Sequence, residues 1–174
     1  NNEELLKEID KKQVAGMAFS GQMMGCLCVD KAGHPLRPSI IWADQRAQEQ
    51  QQAIAREISD WDFYRIAGHR NTASYGIQKL MWVRDHEPEI YAKTYKTLNA
   101  KDFIVLRLTG NWYTEPSDAT SNVCMDLQKL QWSEKIVACA GIDGEKLPQI
   151  VPSTFVAGGV TRWAAEQTGL AMDT

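Results

Sequence analysis

The chain has 174 residues, of which 44% are hydrophobic and 24% charged, and its formal net charge is −3. That length buries a core within one domain, and the composition excludes a chain that is disordered throughout. The acidic balance argues against nucleic acid or an anionic membrane as partner, and no apolar run reaches the ~18–20 residues that cross a bilayer.

The opening Asn1-Asn2-Glu3-Glu4 has no signal-peptide character, so a cytoplasmic location is expected. Without an initiator Met the chain reads as a piece of a longer protein. Cys26, Cys28, Cys124 and Cys139 form no Cys-x-x-Cys pair, and His34, His69 and His86 do not fall at metal-ligand spacing. The cysteines read as buried free thiols in a reducing compartment, and no metal-ligating residue is expected.

In chain order, residues 3–12 carry Leu5, Leu6 and Ile9 at helical spacing. Residues 14–19 are apolar on both alternating faces, as in a central strand covered on each side. Residues 26–29 read as the next strand, 30–33 as a turn, and 39–42 as a third strand approached through Pro35 and Pro38. Together they predict an antiparallel meander beside the central strand. Ala47, Ile54 and Ile58 form the inward stripe of a long polar helix that follows Asp44. Residues 60–76 read as an ordered loop with a short helix. Residues 77–84 are helical with Ile77, Leu80 and Met81 inward, and Pro88 opens a short helix through Lys93.

Residues 95–99 suit a short strand, while 102–108 fit either period until Thr109-Gly110-Asn111 ends them. Residues 115–120 look like the entry to a short helix with acidic groups at its positive end. Residues 133–140 form a helix that Gly141 terminates, and Gly158-Gly159 precedes a last helix, 162–167, closed by Gly169. With no repeat and no second boundary, the chain is one α/β unit.

The stretch from Ser20 to Arg46 places polar groups at the ends of apolar segments, where ligand sites are built. No phosphate loop, dinucleotide fingerprint or Gly-x-Ser-x-Gly elbow is present. Gly158-Gly159 serves more simply as a turn than as a phosphate cradle. Asp118 could accept a hydroxyl proton, but beside Pro116 and Ser117 it reads as a helix cap. Met23 and Met24 on spacing alone are core filler, and Trp42 is a packing residue. Asp44 and Arg46 either hydrogen-bond a polyol or pair with each other.

Several stretches taken in order resemble the amino-terminal domain of the FGGY carbohydrate kinases, and among these the xylulokinase branch. They are Ser20-Gly21-Gln22-Met23-Met24-Gly25, Gly33-x-Pro35-Leu36, Trp42-x-Asp44-x-Arg46, Lys79-Leu80-x-Trp82, Glu87-Pro88-Glu89-Ile90 and Lys101-Asp102. Leu108-Thr109-Gly110, residues 117–121, Asp126, Trp132-Ser133, Leu147-Pro148 and Thr168-Gly169-Leu170 follow in register. Residues 1–174 then correspond to a partial amino-terminal domain.

The resemblance implies an α/β, ribonuclease H-like (actin-like ATPase) domain, a mixed sheet flanked by helices and incomplete at both ends. It also implies ATP-dependent phosphorylation of a sugar hydroxyl, with ATP and Mg²⁺ handled mainly outside this chain, and a homodimer is compatible with it. In the xylulokinase branch a Met-His pair contacts the ketose; here Met24 replaces the His, and a thioether cannot donate as imidazole can. The family's Asp-x-Gly-Thr strand and its Gly-Gly-Asp base are expected before and after this chain, so no catalytic residue is assigned within it.

Gln22, Met23 and Met24 are expected to line the sugar pocket. Asp44 and Arg46 would touch sugar or brace that wall, and Ser74 and Tyr75 follow as further candidates. Two rival readings stand beside the kinase: a non-catalytic sugar-sensing module, and a purely structural domain whose aromatics are core and interface.

Overall fold

The structure, a computed structural model, describes residues 10–174. Most of the helix predicted over 3–12 lies outside those residues; Lys11–Gln13 forms a 3₁₀ turn.

Local capping chemistry sets the limits of most helices. After α1 (Gln48–Glu57), Ser59 caps α2 (Asp60–Ala67) by accepting from the Asp62 N–H, and Gly68 closes it at φ 71°. That left-handed angle is cheap only for glycine. Helix α3 (Gly76–His86) is followed by α4 (Pro88–Lys93), which has Pro88 in its first turn as the sequence predicts. The ambiguous segment resolves as α5 (Ala100–Thr109). The Asp102 carboxylate accepts from the Asn99 N–H at 3.3 Å, and Gly110 ends the helix at φ 76°. Glu115 caps α6 (Pro116–Ala119), Ser133 caps α7 (Glu134–Cys139), and Thr161 caps α8 (Arg162–Thr168), which ends at Gly169.

The strands are short and paired. β1 (Leu27–Val29) runs antiparallel to β2 (Lys96–Leu98), with Leu27 opposite Leu98. β3 (Tyr113–Thr114) runs parallel to β6 (Gln149–Ile150), and β4 (Met125–Asp126) forms a hairpin with β5 (Gln131–Trp132). The last four were not legible, because two-residue strands carry no periodicity.

Two strand expectations are corrected. Residues 14–19 form no strand, and residues 15–23 are exposed. A strand apolar on both faces needs hydrogen-bonded neighbours and covering layers, and among the described residues none pairs with it. Residues 39–42 supply only the bridge Cys26–Ile40, joined by Val29–Pro35, because Pro35 and Pro38 lack the amide donors that a ladder needs.

The main core lies among α1, α2, α3 and α7, where Ile54, Phe63, Ile77, Leu80, Val83 and Ile136 are essentially inaccessible. Smaller clusters form around Val29, Leu98 and Leu106, and around Val160, Ala164 and Leu170. At the entry to α3, a Cβ on Gly76 would fall on the Asn122 side chain, so the helix starts in close contact with the 3₁₀ turn Thr120–Asn122. This contact brings the loop before α3 beside residues 24–25.

Candidate functional site

A cavity of ≈ 600 Å³ opens between the Met24 segment, the Trp42 turn and the loop joining α2 to α3. Met24, Trp42, Ala43 and Gln45 line it together with Tyr64, Gly68, His69, Arg70, Thr72, Ser74 and Tyr75.

Met24 sits in the left-handed region at φ 60°, which a side-chain-bearing residue adopts only when held. Its N–H donates to Ser121 Oγ at 3.1 Å, and the next amide, Gly25 N–H, donates to Asn99 Oδ1 at 3.0 Å. Asn99 and Ser121 are themselves buried and joined to the Asp118 carbonyl. From the other side, the Met24 carbonyl accepts from Lys79 Nζ at 2.7 Å.

Trp42 is 53% exposed, so the structure corrects its reading as a packing residue: the indole forms a wall of the cavity. Two and four residues further on, Asp44 and Arg46 pair with each other through bonds of 2.7 to 3.0 Å, and the Arg46 guanidinium lies 4.7 Å from the centre of the Trp82 ring. The Arg46 contact holds the Asp44 carboxyl below its usual range. Of the two roles left open by the sequence, bracing is the one whose contacts are present; neither side chain lines the cavity.

Within the same lining, Tyr75 Oη lies 3.4 Å from His69 Nδ1, and Thr72 Oγ1 lies 3.1 Å from Ser74 Oγ. Ser74 and Tyr75 both lie in the lining of this cavity. Gln22 and Met23 are exposed and outside this lining, with Met23 at 42%. The lining also takes in Tyr64, His69, Arg70 and Thr72, which the sequence did not single out. The available signal was their clustering in the mixed aromatic stretch before α3, but only the fold turns that stretch toward Trp42.

The arrangement combines aromatic and thioether surface with hydroxyl, imidazole and guanidinium groups, and among the described residues the lining contains no carboxylate. Such a mixture suits a polyhydroxylated ligand, whose C–H faces pack on rings while its hydroxyls take the polar groups. Among the described residues, no three His, Cys, Asp or Glu side chains converge as a metal site, and no helix is long and apolar enough to cross a membrane.

A second cavity, ≈ 640 Å³, lies between residues 15–19, α5 and residues 151–160. At its edge the Lys101 ammonium stands 2.8 Å from Glu115, 3.5 Å from Asp118 and 3.6 Å from Asp102. Asp118 is buried within this cluster, and Glu115 caps α6 instead, which corrects the capping role assigned to Asp118. Much of the cavity wall is small or apolar, and it receives none of the candidate sugar-contact residues.

Residues 2–174 match the FGGY family of carbohydrate kinases, N-terminal domain. The xylulose kinase of Lactococcus lactis is 35% identical over 156 residues, covering 90% of this chain and 31% of that protein. The xylulose kinase of Staphylococcus xylosus is 31% identical over 166 residues, covering 95% and 34%. The gluconate kinase structure from Lactobacillus acidophilus superposes with a TM-score of 0.88 at 26% identity, covering 98% of this chain and 35% of that one. The chain spans about a third of the length of the curated relatives it matches. The fold is that of the actin-like ATPase, ribonuclease H-like domain.

Proposed function

The chain belongs to the FGGY family of carbohydrate kinases, as its N-terminal domain, and from that premise we propose that the full-length protein phosphorylates a sugar hydroxyl with ATP. The acceptor is a ketose such as xylulose, or a polyol, and the enzyme works in the cytoplasm. The observation that carries this is the convergence of Met24, Trp42, Ser74 and Tyr75, from three separate stretches, on one cavity.

ATP supplies the phosphoryl group. The residues of this chain bind and orient the sugar, with Trp42 and Tyr75 facing its carbon skeleton and Ser74, Thr72 and His69 meeting its hydroxyls. Mg²⁺ accompanies ATP in such transfers; because the described residues offer it no converging ligand set, no step in this chain runs through it. Among the described residues the lining also lacks a carboxylate to accept the hydroxyl proton, so these 174 residues alone are expected to give no turnover.

Met24 and Arg70 bear on which sugar is taken. The thioether removes the donor that a His would offer, and Arg70 stands on the rim with no acidic residue among its cavity neighbours. The screen should therefore include sugar acids beside pentuloses, hexuloses and polyols. Full-length protein is expected to release ADP in response to at least one of these. A complete lack of sugar-stimulated ADP release rules out the kinase. A thermal shift with a sugar but no ADP release supports the non-catalytic sensor instead, since a ligand of the native state must stabilise it.

A further inference from the structure

Lys79 is the most anomalous residue near the cavity. It lies on α3 between buried Gln78 and Leu80, it is 0% exposed, and among the described residues it makes no ion pair. Its Nζ donates instead to three main-chain carbonyls: Met24 at 2.7 Å, Ile41 at 2.8 Å and Ser74 at 2.5 Å. An ammonium has three N–H donors, so the three acceptors match its capacity. The acceptors come from segments 55, 38 and 5 residues away in sequence. Met24 and Ser74 line the cavity, and Ile41 immediately precedes Trp42.

We infer that Lys79 is a positioning residue for the sugar site, one ammonium fixing the relative placement of Met24, Trp42 and Ser74. This rests on the cavity being the sugar site. A purely structural lysine here is physically awkward. A buried cation without a carboxylate partner is costly, and an apolar side chain of similar volume would fill the space without that penalty. What an apolar residue could not do is hold three carbonyls of unconnected loops to one point. Met24 shows the consequence directly, because its left-handed backbone is held at N–H by Ser121 and at C=O by Lys79.

The charged and titratable groups facing Lys79 are Cys26, Asp44 and Arg46, and Asp44 is already bound to Arg46. Burial pushes the Lys79 ammonium down to about 8, against the carbonyl contacts, which favour the charged form. Deprotonation leaves two donors for three acceptors and frees one of the loops.

The test compares full-length wild type with Lys79→Met and Lys79→Arg. Steady-state KM for the sugar and for ATP is read across pH, together with backbone hydrogen exchange of the sugar-free proteins. Lys79→Met is expected to raise the sugar KM about tenfold or more, because small displacements of positioning groups are costly, while the ATP KM stays close to wild type. Lys79→Arg, which keeps the charge and its donors, recovers part of the loss. In wild type the sugar KM rises above about pH 8, and in Lys79→Arg that rise is absent. Exchange in Lys79→Met speeds up together at residues 23–25, 41–43 and 72–75.

A folded Lys79→Met with unchanged sugar KM and unchanged exchange overturns the inference. If Lys79→Met does not fold, a wild-type sugar KM that is flat through pH 8 and matches Lys79→Arg overturns it equally. Faster exchange in all three segments with no sugar effect would keep the three-carbonyl clasp while removing its service to a sugar, a failure of the sugar-site reading and not of the clasp.

Discussion

Replacing Trp42 with alanine in the full-length protein is expected to raise the sugar KM by about 30-fold, or about 2 kcal/mol, with little change in melting temperature. The indole is half exposed and outside the core clusters, so its removal leaves no cavity among buried side chains. What disappears is an aromatic surface of the cavity that Ser74 and Tyr75 also line. Trp42→Phe should retain much of the affinity, since it keeps an aromatic face. Steady-state kinetics with a melting curve for each variant separates the outcomes. An unchanged KM accompanied by a large drop in melting temperature would return Trp42 to a packing role.

The second large effect lies in the acidic cluster of the other cavity. Asp102 is 2% exposed, and burial, reinforced by neighbouring Asp118 and opposed by Lys101, pushes its carboxyl up to about 7 from the ordinary 3.8. A carboxyl whose folded pKa is raised binds more protons folded than unfolded between those values. Stability therefore falls as pH climbs from about 4 to about 7, and the full penalty persists above that range. Glu115 works in the opposite sense. Although burial opposes ionisation, Lys101, Ser117 and Ser153 hold it down to about 2, so its stabilisation is present above its ordinary 4.5 and is lost as pH falls toward 2.

Asp102→Asn keeps an oxygen to accept from the Asn99 N–H and removes the buried charge. It is expected to raise stability at pH 8 by roughly 2–4 kcal/mol while leaving stability at pH 4 nearly unchanged. Urea denaturation at the two pH values reads this directly. A variant less stable at both would show that the Lys101–Asp102 attraction outweighs the burial of charge.

Helices were legible because their ends are written in local chemistry. Pro88, Gly110, Ser133 and Gly169 each act through a backbone constraint or a cap that needs no distant partner. Residues 14–19 show the opposite case. Their alternation states only that both faces want cover, whereas strand formation depends on neighbours that the stretch itself does not specify. The same division holds at the site. Met24 could be named from motif order and Ser74 and Tyr75 from the loop before the Lys79 helix, but Trp42 was misjudged because a tryptophan in an apolar run is usually buried.

Lys79 was visible only as one letter of a motif. α3 is buried on nearly every side, so its sequence gives no polar face from which a buried cation would stand out. Asp44 and Arg46 could be paired from their spacing, yet the placement of Arg46 over Trp82, 36 residues further along the chain (82 − 46), required the fold. Function here is a long-range property: the cavity walls are fixed by carbonyls, amides and rings brought together from Met24 to Ser121.

The central claim is that the cavity between Met24, Trp42 and Tyr75 holds the sugar. It is tested most directly by the structure of the full-length protein bound to the sugar that stimulates ADP release. The sugar is expected to pack on the Trp42 ring with hydroxyls in hydrogen-bond reach of Ser74 or His69. A sugar bound elsewhere, with this cavity unchanged and empty, would contradict the account.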